Sequence, residues 1–528
     1  MTHPIFRGAP SAWLKCLGVS TVLAISGWGF LPPSHAQSDS APRTVTPSTP
    51  VRAGASQLPA LGDGSALATS AERKLGDRIA REIYRDPDFI DDPVLAEYVQ
   101  EIWQPLLAAA RSRGDLSSEI DQRFAWEIML GRDRSINAFA LPGGYLGLHL
   151  GLVAAVSSRD ELASVLAHEL SHVTQRHISR LMSKQSEQTP WMIGALILGA
   201  LAASKSPDAA SALMVGGQAV AMQNQLNFSR DMEREADRVG FGVMTQAGFA
   251  PQGFVSMFDK LQQASRLNDN GSFPYLRSHP MTTERIADMQ ARQPVGAAPA
   301  GAAETSMEHA MLSARARVLS NSSADALRQA AAEAGNPALP GWPAPRQAAT
   351  LYAAALADTK MRDFAAAQAA LARLSTAVQP HDRARRLAGL LAVEVALASG
   401  QAAPEMAPGK GRPEVLLSAQ VLIGKGRAHE AASALQTWVA RYPRDAMAWQ
   451  LLATANAALG KGLRAVRAEA EAQAAQLDYA AALDRFKAAQ GMVRSASGGA
   501  DVDHIEASII DTRTRQVQLL LREQALER

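Results

Sequence analysis

The stretch "ELASVLAHELSHVTQRH" at residues 161–177 constrains the fold more than any other part of the chain. Ser158 and Glu161 have the spacing of a capping box, so we expect a helix to begin there. His168 and His172 are four residues apart and therefore project from one face of that helix. The apolar residues that recur beside this face, and that predict contact with a core, are Leu162, Val165, Leu166, Leu170 and Val173. Two imidazoles so arranged can bind one metal ion at about 2.0–2.1 Å.

Glu169 directly follows the first of these histidines. There it could take a proton from water on the metal and pass it to a leaving amine. The pattern His-Glu-x-x-His is the zincin signature. With 11 histidines in 528 residues, chance produces this pattern in roughly one chain of this size in a hundred. The alternative interpretation is a histidine pair on an ordinary helix surface.

A third metal ligand is needed, because a catalytic zinc ion has three protein ligands and one open position. Gln175 stands where a His-x-x-Gly-x-x-His pattern would have its glycine. His177 is five residues after His172 and should point elsewhere on a helix. We therefore expect the third ligand to be a carboxylate from a later helix.

The segment "NFSRDMEREADRVGF" supplies such a carboxylate. Glu233 and Asp237 are four residues apart and can face one site, whereas Glu235 should point away. We predict that Glu233 binds the metal and that Asp237 accepts the free imidazole N–H of a ligating histidine. The alternative is a solvated, charged helix face.

The first residues resemble an export signal. Arg7 and Lys15 precede an apolar run of about 16 residues that ends at Pro32, and small residues follow up to Ala36. We predict a signal peptide over residues 1–36, cleavage after Ala36 and a periplasmic location; the alternative is an uncleaved membrane anchor. Cys16, the one cysteine of the sequence, lies within the signal, so any metal must be held by His, Asp or Glu.

The composition predicts further domains and a mostly α-helical fold. The predicted order is a flexible leader at 37–66, an α+β zincin-type metallopeptidase domain with a small sheet at 67–292, a linker at 293–305 and an α-helical repeat domain at 306–528. In the repeat domain, Leu416-Leu417 and Leu451-Leu452 recur at the spacing of tetratricopeptide repeats. An irregular alanine-rich bundle is the alternative. Arrays of tetratricopeptide repeats bind segments of other proteins.

Other partner classes are disfavoured. The formal net charge is +2 and no basic run alternates with aromatic residues, so we expect no nucleic-acid binding. Residues 190–226 form two apolar segments, which we interpret as a buried helical hairpin or as a hairpin that touches membrane or a partner. Both are too short to span a bilayer, so we expect no transmembrane span in the mature chain.

Four motifs, "NAFALPGGYL", "HELSHVTQRH", "SRDMEREAD" and "SHPMTTERI", occur in this order. Together they resemble exported zinc metalloproteases related to the prenyl-protein-processing and heat-shock membrane proteases, over roughly residues 70–292. The resemblance implies one Zn²⁺ per chain, with His168, His172 and Glu233 as ligands and Glu169 as the general base, which is the gluzincin arrangement. Two imidazoles and a carboxylate suit zinc, although cobalt and nickel can bind the same donors.

The resemblance also implies roles around the metal. An edge strand would pair with extended substrate by β-augmentation; its residues are Asn137, Ala138, Phe139, Ala140, Gly143 and Gly144. His279 would close the site as a fourth ligand or stabilise the oxyanion, and Arg285 could serve the same anion. From the residues alone, His279 could equally be a capping histidine before a proline turn.

The resemblance implies an endopeptidase that cleaves unfolded or misassembled proteins, outer-membrane β-barrel proteins stalled in assembly in particular. The repeat domain would bind the client or the outer-membrane assembly machinery. The alternative is a non-catalytic periplasmic chaperone or scaffold with a plugged metal site.

Overall fold

Helices dominate the chain, together with one small sheet, and the predicted mostly α fold is confirmed. The computed structural model describes residues 68–184, 229–266, 274–293, 306–404, 409–496 and 503–526. The predicted signal peptide, leader and 190–226 hairpin lie outside the described residues, as does the linker beyond residue 293. The predicted domain boundaries stay predictions.

Ten helices precede residue 294 in the described ranges, and the fifth of them carries the His-Glu-x-x-His segment. They are α1 Thr69–Arg85, α2 Pro93–Arg113, α3 Ser118–Arg123, α4 Leu150–Ala155, α5 Arg159–Thr174, α6 His177–Lys184, α7 Arg230–Gln246, α8 Gln252–Arg266, α9 Pro274–Ser278 and α10 Thr283–Ala291. The predicted cap of α5 is present, because Ser158 Oγ accepts a hydrogen bond from the Glu161 N–H at 3.1 Å. Ser229 caps α7 in the same way, through the N–H of Met232.

The sheet has three strands, β1 Glu127–Gly131, β2 Ala138–Leu141 and β3 Tyr145–His149, in the order β1-β3-β2. β1 pairs with β3 in parallel, and β2 pairs with β3 antiparallel, with Ala138 opposite Leu148. A short 3₁₀ turn, Pro142–Gly144, joins β2 to β3. Gly143 and Gly144 both adopt positive φ there, at 73° and 82°, which glycine tolerates without a steric penalty. Within the described residues, β2 therefore forms one edge of the sheet.

The later helices pack mostly against helices that are close to them in sequence. They are α11 Met307–Ser320, α12 Ala324–Glu333, α13 Ala344–Met361, α14 Phe364–Ala377, α15 Asp382–Ser399, α16 Arg412–Gly424, α17 Ala428–Arg441, α18 Ala446–Ala458, α19 Gly462–Ala475, α20 Tyr479–Ala496 and α21 His504–Ala525. The pair α16–α17 and the pair α18–α19 begin 34 residues apart, which is the period of tetratricopeptide repeats. The repeat assignment itself stays a prediction.

One hydrophobic core extends from α2 to α16 and encloses α5. Residues 161–174 of α5 are all buried, because the helix packs against β2, α2, α7 and α8. Burial of each large apolar side chain, such as Leu166, contributes about 1.5–3 kcal/mol. The same core includes α11 and α13, so the helices after residue 306 stabilise the helix that carries the two histidines. None of the helices in the described ranges is long and apolar enough to cross a membrane.

Candidate metal centre

Four buried side chains from three segments point at one place. His168 and His172 come from α5, Glu233 from the first turn of α7, and His279 from the residue that follows α9. One potential ligand atom from each lies within 4.8 Å of the other three. The three predicted metal ligands are thus brought together, and the histidine whose role was left open lies beside them.

The spacing of these atoms fits a divalent cation. His168 Nε2 lies 2.9 Å from His172 Nε2 and 3.3 Å from His279 Nδ1. Glu233 Oε1 lies 3.0 Å from His279 Nδ1 and 3.5 Å from His172 Nε2. Ligands at 2.0–2.1 Å in a tetrahedron are about 3.3 Å apart. Imidazole and carboxylate donors at these separations therefore fit zinc, and they would hold it away from solvent.

Burial and neighbouring charges favour protonation states that can bind a metal. Burial, together with the imidazoles of His168 and His279, holds the pKa of His172 well below its ordinary value. Burial alone would raise the pKa of Glu233, but His279, His168 and Arg285 bring that pKa below its ordinary value. A neutral imidazole and an ionised carboxylate are the forms that coordinate cations.

Asp237 and Arg285 support the first histidine. Asp237 Oδ1 lies 2.9 Å from His168 Nδ1, on the side of the ring opposite Nε2. Arg285 donates two hydrogen bonds to Asp237, at 2.6 and 2.8 Å, and its Nη1 lies 2.8 Å from Glu233 Oε2. Arg285 is therefore committed to two acidic groups of the centre, and its predicted action on an oxyanion stays a prediction.

Glu169 lies beside the donors on α5 but is turned towards the sheet. Its Oε2 accepts a hydrogen bond from the backbone N–H of Ala140 in β2 at 2.9 Å. Its Oε1 lies 3.4 Å from His279 Nε2 and accepts no hydrogen bond from any described residue. Burial raises the pKa of Glu169 above its ordinary value. A carboxylate with one oxygen anchored and one unengaged, next to a cation site, is suited to proton transfer.

The predicted substrate strand divides into two parts. Ala138, Phe139 and Ala140 lie in β2 at the edge of the sheet, beside α5, and Asn137 precedes them. The buried Asn137 Oδ1 has no hydrogen-bond partner in the part of the chain that the structure describes.

Gly143 and Gly144 lie instead in the turn after β2, packed against the backbone of Arg73 and against Phe124. A Cβ at either glycine would approach these neighbours to 2.8 Å, so packing alone requires glycine here. Their predicted contact with substrate stays a prediction.

Sequence reasoning missed Tyr275, and its expectation that His177 points elsewhere on a continued α5 is wrong, because α5 ends at Thr174. Tyr275 in α9 is buried and stacks on His279, with ring centroids 4.5 Å apart. His177, the first residue of α6, is also buried, and its Nδ1 lies 2.9 Å from His172 Nδ1. The "SHP" motif could have directed attention to Tyr275, because Tyr275 stands four positions before His279 and therefore on the same face of a helical turn. No local pattern points to His177 as a neighbour of His172.

Comparisons with known proteins agree with a peptidase. Residues 95–293 match the model of peptidase family M48. A putative beta-barrel assembly-enhancing protease of Vibrio cholerae is 31% identical over 84% of this chain and 89% of the relative. The beta-barrel assembly-enhancing protease of Escherichia coli K12 is 28% identical over 88% of this chain and 92% of its own length. The mitochondrial metalloendopeptidase OMA1 of Saccharomyces cerevisiae is 26% identical over 36% of this chain and 54% of its own.

Proposed function

The chain belongs to peptidase family M48 and is a metallopeptidase, and from this premise we propose that it is an exported, zinc-dependent endopeptidase of misfolded or stalled proteins. The observation that carries the proposal is the buried group of His168, His172, Glu233 and His279 with Glu169 beside it. A zinc ion held there supplies Lewis-acid chemistry, which acidifies water and polarises a carbonyl group.

The residues of the chain have separate roles in the proposed reaction. Glu169 takes a proton from the attacking water and delivers it to the leaving amine. The edge of β2 binds the substrate as an added strand. His168, His172 and Glu233 hold the cation, Asp237 orients His168, and Arg285 holds the two acidic side chains in place.

The substrate class and location are proposed from the relatives. Two of them are named as proteases that enhance β-barrel assembly, so we assign outer-membrane β-barrel proteins stalled in assembly as clients of this chain. Such clients are met in the periplasm, which agrees with the predicted signal peptide. The helix pairs after residue 306 would bind the client or the assembly machinery, as expected of a concave helical array.

The test is the substitution Glu169→Gln. The variant should bind the same amount of zinc as the parent, and its rate of cleavage of an unfolded protein should fall about 10²–10⁴-fold. Glu284→Gln is the matched control, because Glu284 pairs with Arg234 on an exposed surface. This variant should cleave the unfolded protein at the parental rate. If Glu169→Gln cuts as fast as the parent, the proposed mechanism is wrong.

A second candidate function, a chaperone or scaffold with a plugged site, is favoured by the position of His279. Four protein donors are typical of structural zinc sites, whereas catalytic sites keep one position open. If His279 keeps the peptidase latent, His279→Ala should raise proteolysis; an unchanged or lower rate contradicts a plug. If the chain acts only as a chaperone, a variant that lacks both His168 and His172 should still rescue the outer-membrane defect of a deletion strain.

A further inference from the structure

His177 lies beside the metal centre because the helix is interrupted just before it. α5 ends at Thr174, and Arg176 adopts a positive φ of 53°, which is uncommon for a residue other than glycine. On an uninterrupted helix, His177 would lie about 140° around the axis from His172. The interruption at Arg176 instead separates α6 from α5, and the two imidazoles come within 2.9 Å of each other.

The conformation at Arg176 is stabilised by contacts of the Arg176 side chain. The guanidinium of Arg176 donates to Glu72 of α1 at 3.0 Å and to Ser179 of α6 at 3.1 Å. Glu72 is only 1% exposed, so this ion pair is largely shielded from water. A strained residue persists only where its surroundings determine its conformation, and here the surroundings fix where His177 lies.

A hydrogen-bonded series runs from His172 through His177 to Glu235. His177 Nδ1 lies 2.9 Å from His172 Nδ1, and His177 Nε2 lies 3.0 Å from Glu235 Oε2. Glu235 also accepts a hydrogen bond from Arg180 at 2.8 Å. Both histidines are fully buried, and Glu235 at the outer end is partly exposed.

The positions of the protons in this series follow from the donors. His172 directs Nε2 towards the other three candidate ligands, so a cation bound there leaves the ring proton on Nδ1. That N–H donates to His177 Nδ1 across the 2.9 Å contact, so His177 Nδ1 must then be bare. The proton of His177 therefore lies on Nε2, where the acceptor is the Glu235 carboxylate. Each bond has one donor and one acceptor, in a single consistent arrangement.

We propose that His177, oriented by Glu235, is a positioning residue that fixes the ring orientation and tautomer of His172 for metal binding. The inference rests on the proposed binding of zinc. It gives the two ligating histidines unequal support, since His168 meets the carboxylate of Asp237 directly, whereas His172 reaches the carboxylate of Glu235 through a second imidazole. Outer partners of this kind orient ligands and raise their affinity for the metal.

The first test compares two substitutions at one position. His177→Leu removes the acceptor, whereas His177→Asn places a carbonyl oxygen near the position of Nδ1. Competition of zinc with a chromophoric chelator should show about 10–100-fold weaker binding in His177→Leu, and His177→Asn should recover most of the loss. The visible spectrum of the cobalt-substituted protein should change in His177→Leu and resemble the parental spectrum in His177→Asn.

Further variants separate positioning from stability. His309→Leu removes another buried histidine, which contacts Tyr98 and Val156 away from the centre; it should destabilise the fold but keep the parental affinity for zinc. Glu235→Leu and Arg180→Leu both break the ion pair between these two residues, but only Glu235→Leu removes the acceptor of His177. Zinc affinity should therefore fall in Glu235→Leu and stay unchanged in Arg180→Leu.

The outcomes distinguish this inference from the proposed function. A parent that binds zinc, together with a His177→Leu variant of the same affinity, overturns the positioning role and leaves the proposed function intact. If His177→Leu does not fold, equal affinities of Glu235→Leu and Arg180→Leu overturn it instead. A parent that binds no zinc defeats the proposed function itself, and the inference with it.

Discussion

Two buried arginines, Arg285 in the metal centre and Arg315 in α11, both join acidic side chains. They differ in whether the polar groups around them all have hydrogen-bond partners. Arg315 donates to Asp92 at 2.7 Å, to Glu394 at 2.9 Å and to the hydroxyl of Tyr352 at 3.0 Å. Asp92 in turn caps α2. Among the described residues, none of these four side chains has a buried polar atom without a hydrogen-bond partner.

The acidic groups around Arg285 interact with several imidazoles in addition to the guanidinium. Asp237 and Glu233 also face the imidazoles of His168, His172 and His279, and a carboxylate oxygen of Glu169 close by accepts no hydrogen bond within the described ranges. A buried cluster in which donors and acceptors match acts as a joint between helices. Around the metal centre, by contrast, carboxylate oxygens and imidazole lone pairs outnumber the donors, and a bound cation can pair with them.

The largest expected effect is that of Arg315→Met on stability. It leaves the buried Asp92 and the partly buried Glu394 without their cation, so the free energy of unfolding should fall by about 3–5 kcal/mol. Denaturant titration with and without zinc should give the same loss. Arg383→Met is the control, since Arg383 pairs with Glu101 and Glu308 at the surface and should cost less than about 1 kcal/mol. If zinc reduces the loss of unfolding free energy in Arg315→Met, then Arg315 is not independent of the metal centre, and the two arginines do not differ in this respect.

Removal of the metal should have the next largest effect. Zinc at 100 times its dissociation constant stabilises the folded protein by about 2.7 kcal/mol. A chelator should remove that stabilisation in the parent and equally in Arg315→Met, because the two clusters are separate. A smaller effect of the chelator in Arg315→Met would mean that the clusters are coupled.

Arg285→Met should cost less than Arg315→Met when zinc is bound. The bound cation and the imidazoles continue to balance Asp237 and Glu233, so we expect a loss of about 1.5–3 kcal/mol, the value of hydrogen bonds to charged groups. The measurement is denaturant unfolding of the zinc-loaded protein, repeated after chelation. The loss should grow when the metal is removed; a loss that is independent of metal would place Arg285 in the same class as Arg315.

The smallest expected effect concerns pH and His309, on the same helix as Arg315. Burial holds the pKa of His309 below its ordinary value of 6.5. As the pH falls below about 6.5, the unfolded chain takes up a proton that the folded chain refuses, so acidification favours unfolding. Between pH 7 and 5.5, the chelator-treated parent should lose more stability than His309→Gln. Equal losses would show that His309 is not held neutral.

Local patterns predicted most of what is local. The cap at Ser158 and the helix that carries His168 and His172 each depend on residues close together in sequence. The predicted facing of Glu233 and Asp237 towards one site also followed from a four-residue spacing. These features agree with the structure because helix periodicity and turn chemistry act over a few residues.

What the sequence could not predict depends on distant contacts or on a single backbone angle. The positive φ of Arg176 interrupts the helix at one residue, and the partner of Arg176, Glu72, lies 104 residues away. Arg315 and Asp92 are 223 residues apart, and neither shows a motif. Whether a charged residue lies on a solvated surface or in a buried cluster is decided by tertiary packing, which a single sequence does not display.

The position of α1 has a consequence for how this peptidase can be shortened. The family match begins at residue 95, inside α2, and so omits Glu72 and the contact of Gly76 with the backbone of Pro142. A fragment cut to residues 95–293 would keep every candidate ligand but lose the anchor of the bend at Arg176 and the helices that complete the core. The smallest piece that can be expected to work is therefore larger than the segment by which the family is recognised.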